Sequence, residues 1–368
     1  MKFIIEKNLF QTSLGKIQGI AERKSTIPIL ANILITAVHD SINIVATDLE
    51  IGIMEITTAD ILEKGTICIP ARKLYDMVRE LSVDKIEIKE EEKFWVSVKA
   101  GKTIFNLPGL NPNDFPPFPD TDALSSFSIV ISDLMEMIER TVFAASSEES
   151  RFNLNGIYME KVYKEEKDFF RMVATDGHRL SLIDKDVKQP FDKGIILSRR
   201  GLSEVRRAIG DEGSTVNLSL KGNNCIFKTD RTSVVVRLLE GEYPDYRQVI
   251  PTTNDKCIVL DRKEFIGCLR RAHVVASEKG EGVKFTIKKG LMEIRTGGSD
   301  VGNVQEELKI DYEGDPLNVS FNAKYLLDVM NILDTDTVEM KLKDESSSAL
   351  IRPIDGEGYL YVVMPMRI

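Results

Sequence analysis

The chain has little of what builds metal and redox sites. Its 368 residues include four cysteines, three histidines and one tryptophan. Cys68, Cys225, Cys257 and Cys268 form no CxxC pair and stand at no ligand spacing from His39, His178 or His273, so neither a zinc nor an iron site is expected. They read as reduced, mostly buried thiols of a cytosolic protein. No run approaches the ~20 apolar residues of a membrane span. The best candidate, residues 27–38, is short and contains Pro28 and Asn32. Glu6 and Lys7 interrupt the start, where a secretory signal would need an apolar run. No GxSxG, P-loop, GxGxxG or HExxH pattern occurs, and no zinc-finger, helix-turn-helix or RRM signature. The interleaved aromatic and basic residues of a single-strand binder are also missing. No cofactor is therefore expected.

Hydrophobic residues make up 42% and charged residues 29%, ordinary for a globular protein of two or three domains. The net charge of −9 argues against a nucleic-acid partner only if that charge is evenly spread.

What the chain does have is internal repetition. Val45-Ala46-Thr47-Asp48 recurs 128 positions later as Val173-Ala174-Thr175-Asp176. At the same offset Asp114-Phe115-Pro116 answers Glu242-Tyr243-Pro244, and Leu74, Met77 and Leu81 answer Leu202, Val205 and Ile209, with Arg72 and Arg79 beside Arg200 and Arg207. A fainter third copy, from Phe321-Asn322-Ala323-Lys324, sets Leu326, Val329, Met330 and Leu333 on one helical face. Each copy also opens with a one-faced helix: Leu9, Leu14 and Ile17; Leu134, Met137, Ile138, Thr141 and Val142; Phe265, Cys268, Leu269, Ala272 and Ala276. Asp133 and Asp261 lie near two of the starts, where acidic side chains cap and favour the helix dipole. Gly15 and Gly19 weaken the first helix.

Alternating stretches such as Ile42 to Val45, Ile86 to Lys89, Phe94 to Val98, Val338 to Leu342 and Tyr359 to Val363 read as strands. The acidic run Glu90-Glu91-Glu92 reads as a solvated hairpin tip. The fold class is α+β: three tandem copies of one domain, each two helices on antiparallel sheet. Pro-rich joints place the copies at 1–123, 124–253 and 254–368.

The second helix of each copy carries cations off its apolar face: Arg72 and Arg79, Arg200 and Arg207, and Lys324. An acidic protein that gathers cations on equivalent helices has an uneven field able to attract phosphate. Contacts of that kind read backbone and not bases.

Several stretches together resemble one family. They are Ile27-Pro28-Ile29-Leu30-Ala31-Asn32, Ala46-Thr47-Asp48-Leu49-Glu50, Pro70-Ala71-Arg72-Lys73, Leu154-Asn155-Gly156, Ala174-Thr175-Asp176-Gly177-His178-Arg179-Leu180, Tyr243-Pro244-Asp245-Tyr246-Arg247, and the end Tyr361-Val362-Val363-Met364-Pro365-Met366-Arg367-Ile368. In this order they resemble the bacterial DNA polymerase III beta subunit family, the replicative sliding clamps, over essentially the whole chain. The resemblance implies a cytoplasmic, non-catalytic DNA-clamp fold in a head-to-tail homodimeric ring of six domains around double-stranded DNA. It implies as partners the DNA polymerase III alpha subunit, the clamp-loader delta subunit and other clamp-binding polymerases and repair proteins.

Carried onto matching positions, it implies a partner-peptide pocket walled by Leu154, Thr175, Gly177, His178, Arg179, Leu180, Pro244, Val249, Val362, Met364, Pro365 and Met366. Asn322, Tyr325, Ser346, Ser348 and Arg367 stand at its edge. Implied DNA contacts come from Lys24, Arg72, Arg79, Arg151, Phe152, Asn153, Arg200 and Arg207. Two positions depart from the pattern: Asn153 replaces the second of a tyrosine pair found in some members, and Gln248 stands where some have arginine.

Two rival readings use the same residues. A hydrolase would start from Asp176, His178 and Ser181, but a triad needs nucleophile, base and orienting acid in one geometry. Asp176 also has a repeat partner, Asp48, that lacks the histidine. A protein-interaction scaffold that does not encircle DNA would use the pocket and leave the helix cations without a role.

Overall fold

The computed structural model describes the chain apart from residues 22–26, 123–124, 149–151, 165, 188–192, 211, 277–281, 299–301, 355, 357 and 367–368. Helices form where apolar spacing placed them: α1 (Lys7–Ile17), α2 (Ala71–Glu80), α3 (Ile131–Val142), α4 (Arg199–Ile209), α5 (Arg262–Ala276) and α6 (Ala323–Ile332). α2 buries Leu74 and Val78, α4 buries Leu202, Val205 and Ile209, and α6 buries Leu326, Val329 and Met330. Each such side chain contributes about 1.5–3 kcal/mol on burial. Asp261 caps α5 by accepting the Glu264 N–H at 2.8 Å, and Asn322 caps α6 through the Lys324 N–H at 2.9 Å. In α1 the spacing missed Phe10, which is fully buried edge-on to Phe3. Gly19 has a packing reason: a Cβ there would fall 1.9 Å from the Arg207 guanidinium, which donates to the Lys16 carbonyl.

The strands assemble into four sheets, and the two largest ignore the boundaries between copies. In one, Asn32–Val38, Ser41–Thr47, Ile51–Thr58 and Gly65–Pro70 of the first copy continue into Ser126–Val130, Thr215–Lys221, Asn224–Lys228 and Thr232–Arg237 of the second. The seam is the antiparallel pairing of Ile51–Thr58 with Thr232–Arg237. The other eight-stranded sheet joins Gly156–Lys164, Lys167–Thr175, Arg179–Lys185 and Ile195–Ser198 to Lys256–Asp261, Thr337–Leu342, Ala349–Pro353 and Tyr359–Val363. Its seam pairs Arg179–Lys185 with Tyr359–Val363, so that Leu180 faces Val362. Pairing edge to edge removes two exposed edges from each copy pair. The chain accordingly packs as two compact units, Met1–Met135 with Arg200–Leu238, and Glu136–Arg199 with Leu239–Ile368. The second copy is thus shared between the two units.

A buried charge marks the first seam. Glu55 lies opposite Thr232 and is 3% exposed. Lys16 Nζ reaches its Oε1 at 3.2 Å, and the Thr232 hydroxyl donates to it. Burial raises its pKa above the ordinary carboxylate value. Three cysteines are buried as expected; Cys257 is exposed on Lys256–Asp261, beside Glu339. Glu90 to Glu92 do close a hairpin, between Lys85–Glu90 and Trp95–Ala100.

The repeated Val-Ala-Thr-Asp builds the same turn twice. Asp48 Oδ1 accepts the N–H groups of Glu50 and Ile51, and Asp176 Oδ1 those of His178 and Arg179. Thr47 and Thr175 each accept the N–H two residues on and donate to the carbonyl four residues on. The residue after the aspartate is left-handed in both, Leu49 at φ 76° and Gly177 at φ 91°. A side chain there is strained, whereas glycine is not. Leu49 is 52% exposed and has little packing to lose. Leu49→Gly is therefore expected to stabilise the protein by about 0.5–1 kcal/mol. Urea denaturation measures this, and a loss of stability would contradict the strain argument.

Candidate functional site

The second of these turns, the seam beside it and the segment 244–249 enclose a cavity of about 220 Å³. Nine of the residues carried over from the family line it: Leu154, Thr175, Gly177, Arg179, Leu180, Pro244, Val249, Val362 and Met364. Leu180 and Val362 are buried at 1% and form its base with Val173, Leu182 and Tyr246. Val249 and Met364 leave 37% and 36% of their surface open at the rim. A concave, mostly apolar site with a few polar groups suits a side chain delivered by a partner, and the flexible thioether of Met364 adapts to different shapes. The chain end is held in place by two backbone bonds, Met364 N–H to the His178 carbonyl at 2.9 Å and Met366 N–H to the Ser320 carbonyl at 2.8 Å.

Arg179 organises one wall. Its guanidinium donates to Asp176 at 3.0 Å, to Asp328 of α6 at 2.6 Å and to the Phe143 carbonyl at 2.8 Å. It lies 4.4 Å from the Tyr325 ring centre and 5.4 Å from that of Phe143. The side chain is 8% exposed, so these contacts compensate a buried charge.

The structure separates the remaining expected pocket residues. His178 and Tyr325, ring centres 6.4 Å apart, line a second, polar cavity of about 370 Å³ with Asp176, Arg179, Lys324 and Asp328. Asn322 is occupied in capping α6. Ser346 bonds Asp344, whose carboxyl is held at about 2 by hydrogen bonds from Ser347 and Ser346. Pro365 and Met366 are half-buried beyond the apolar cavity, and Arg367 lies outside the described residues.

The carry-over from the family pattern did not include Asp245 and Tyr246, which also line the cavity. Tyr246 is 3% exposed and sits in the short helical turn Tyr246–Val249. The repeat offset held a signal for it, since its counterpart Phe118 has no hydroxyl.

Four of the expected DNA contacts, Arg72, Arg79, Arg200 and Arg207, are exposed on α2 and α4, among carboxylates. Arg72 and Arg79 flank Asp76 at 3.9 and 3.7 Å, and Arg79 also meets Glu80 at 3.1 Å. Arg200 pairs with Asp48 at 2.8 Å and Arg207 with Glu204. The pairs of Arg72 and Arg79 are exposed on both sides, where ion pairs are worth about 0–1 kcal/mol each, so a phosphate can compete for those cations, whereas the Asp48 carboxylate under Arg200 is 3% exposed and depends on its cation. Asn153 spends its amide on the Glu242 carbonyl at 2.9 Å. Phe152 opens the turn Phe152–Leu154, while Lys24 and Arg151 lie outside the described residues. Among the described residues there is no cluster of three metal-ligating side chains, and no helix is long and apolar enough to cross a membrane.

Comparison with known proteins matches every part of this chain. Residues 1–119, 128–245 and 247–367 fit the profiles described as DNA polymerase III beta subunit, N-terminal, central and C-terminal domain. The beta sliding clamps of Pseudomonas aeruginosa and Caulobacter vibrioides are 33% and 34% identical to it, with all of each chain covered. A solved sliding clamp from Bartonella birtlesii bound to griselimycin superimposes with a TM-score of 0.95 at 33% identity, covering 100% of both chains. The C. crescentus clamp gives a TM-score of 0.94, covering 100% of this chain and 99% of that one. With its three tandem domains, the chain belongs to the DNA polymerase III beta subunit family, the DNA sliding clamps of the replicative polymerase.

Proposed function

We propose that this chain closes as a head-to-tail homodimeric ring around double-stranded DNA and tethers polymerase and other partners through the 220 Å³ apolar cavity. The observation that carries the reading is that cavity, built from nine family positions in a chain that matches sliding clamps end to end. The protein is a cytoplasmic processivity subunit and not a catalyst. Its partners are the polymerase III alpha subunit, the loader delta subunit and other clamp-binding proteins.

The charge pattern supports holding by enclosure. Tight Lys/Arg–phosphate contacts would add affinity and steep salt dependence while impeding sliding. Arg72 and Arg79, already shared with the exposed carboxylates of Asp76 and Glu80, give a weaker, mobile hold. Two sheet edges support self-association. Thr103–Pro108 ends the five-stranded sheet, with Ile104 58% exposed, and Gly302–Lys309 ends the four-stranded sheet. These edges belong to different terminal copies, the arrangement a head-to-tail pair uses to cover both. The domain limits 1–123, 124–253 and 254–368 are part of the same reading. Its test is loading onto circular DNA by a clamp loader and ATP, followed by linearisation, as set out in the Discussion.

A further inference from the structure

The duplication supplies an internal control for the cavity. At the 128-residue offset, Leu180 corresponds to Gly52, Tyr243 to Phe115 and Tyr246 to Phe118. Burial of the two aromatics is exchanged between copies. Phe115 is buried and Phe118 only partly so, whereas Tyr246 is buried and Tyr243 only partly so. In the first copy the Phe118 ring lies over Gly52, where a Cβ would stand 3.0 Å from its Cε2. In the second copy Leu180 occupies that place, and the Tyr246 ring is packed into the base of the cavity.

A polar network anchors the ring there. The Tyr246 hydroxyl donates to Glu160 and accepts from Arg171 Nη1 at 2.9 Å. Glu160 also accepts from Arg247 at 2.7 Å, and the Arg247 guanidinium lies 4.9 Å from the Tyr246 ring centre. Arg171 is itself fixed by a two-pronged contact with Asp184 at 2.7 and 2.8 Å, and Lys164 braces the same carboxylate at 2.8 Å. Burial pushes the hydroxyl up to about 12, so it remains a donor at any physiological pH. None of this exists in the first copy. Arg171 and Asp184 correspond to Asn43 and Ile56, and Glu160, which pairs across the hairpin with Arg171, corresponds to Thr36, which pairs with Asn43 and bonds the Thr66 hydroxyl.

We propose that Glu160 and Arg171 are positioning residues that hold Tyr246 down as the floor of the partner cavity, and that without them the ring rises into the cavity as Phe118 does over Gly52. The inference rests on the reading of the cavity as the docking site, and it ties the open space beside Leu180 to the buried position of the Tyr246 ring, where the first copy instead sets Phe118 over Gly52. Networks whose members are all satisfied fix one arrangement of a ring, which a lone aromatic contact does not.

Calorimetric titration with griselimycin, the compound bound by the Bartonella clamp, tests it. Tyr246→Phe and Glu160→Leu are each expected to weaken binding at least tenfold. Glu160→Gln keeps an acceptor for the hydroxyl and is expected to stay within threefold of the parent. Melting temperatures run in parallel separate positioning from folding. Loss of affinity in the first two variants with the graded rescue supports the proposal. Unchanged affinity, or a lower melting temperature alone, overturns it. If the parent itself fails to bind, the docking reading fails first, and the network loses its function with it.

Discussion

Arg179→Ala is expected to destabilise the second unit by about 3 kcal/mol, the lower end of the range for breaking a buried ion pair. The reason is what stays behind. The Asp176 side chain is 14% exposed and that of Asp328 28%, and both lose their shared cation while the Phe143 carbonyl loses its donor. Those exposures admit some water, which sets the estimate at the low end. For a unit of roughly 200 residues the melting temperature should fall by about 6–12 °C. Arg179→Lys should recover only part, because one ammonium cannot satisfy two carboxylates and a carbonyl in a planar fork. Arg179→Ala combined with Asp328→Ala should be less destabilised than the sum of the single changes, since the second removes a charge left without its partner. Scanning calorimetry on the four proteins measures all of this, and additive losses would contradict the shared-cation account.

The second large effect falls on binding and spares folding. Met364 stands at the cavity rim and is 36% exposed, so Met364→Asp places a carboxylate that water still reaches in the free protein. Stability should remain within about 0.5 kcal/mol of the parent. A partner side chain seated in the cavity would strip that water away and leave the charge without a cation, because Arg179 is already engaged by Asp176 and Asp328. Affinity for griselimycin or a polymerase-derived peptide is expected to fall on the order of 100-fold, about 2.7 kcal/mol. Calorimetry reads it directly, and parental affinity would remove Met364 from the site.

Much of this architecture could be read from the chain because duplication copies local rules. The Val-Ala-Thr-Asp turn uses only bonds within five residues, so identical letters gave identical geometry at 45–48 and 173–176. The helices were legible for the same reason, each buried face repeating at helical spacing. The seams were not, because Ile51–Thr58 finds Thr232–Arg237 across almost two hundred residues, and no local pattern marks which strand edges will meet. The cation assignment also changed in meaning. Arg200 reads as free positive charge on its helix until the fold brings Asp48 to 2.8 Å. Within the cavity, the turn and seam residues were legible from the family pattern. Tyr246 was passed over because its role depends on Glu160 and Arg171, two strand residues more than seventy positions away. Pro365 and Met366 sit next to the cavity in sequence terms, yet they lie outside its lining beyond Met364, and Ser346 is taken up by Asp344.

The claim that matters most is that DNA is held by a closed ring. A clamp loader and ATP place the chain on a nicked circular plasmid, the complex is washed at high salt, and half of it is then cut once with a restriction enzyme. The account predicts that protein stays with the uncut circles through the wash and leaves the linear molecules by sliding off their ends. Equal retention on both forms, or release from both in salt, would mean that contact and not enclosure holds the DNA.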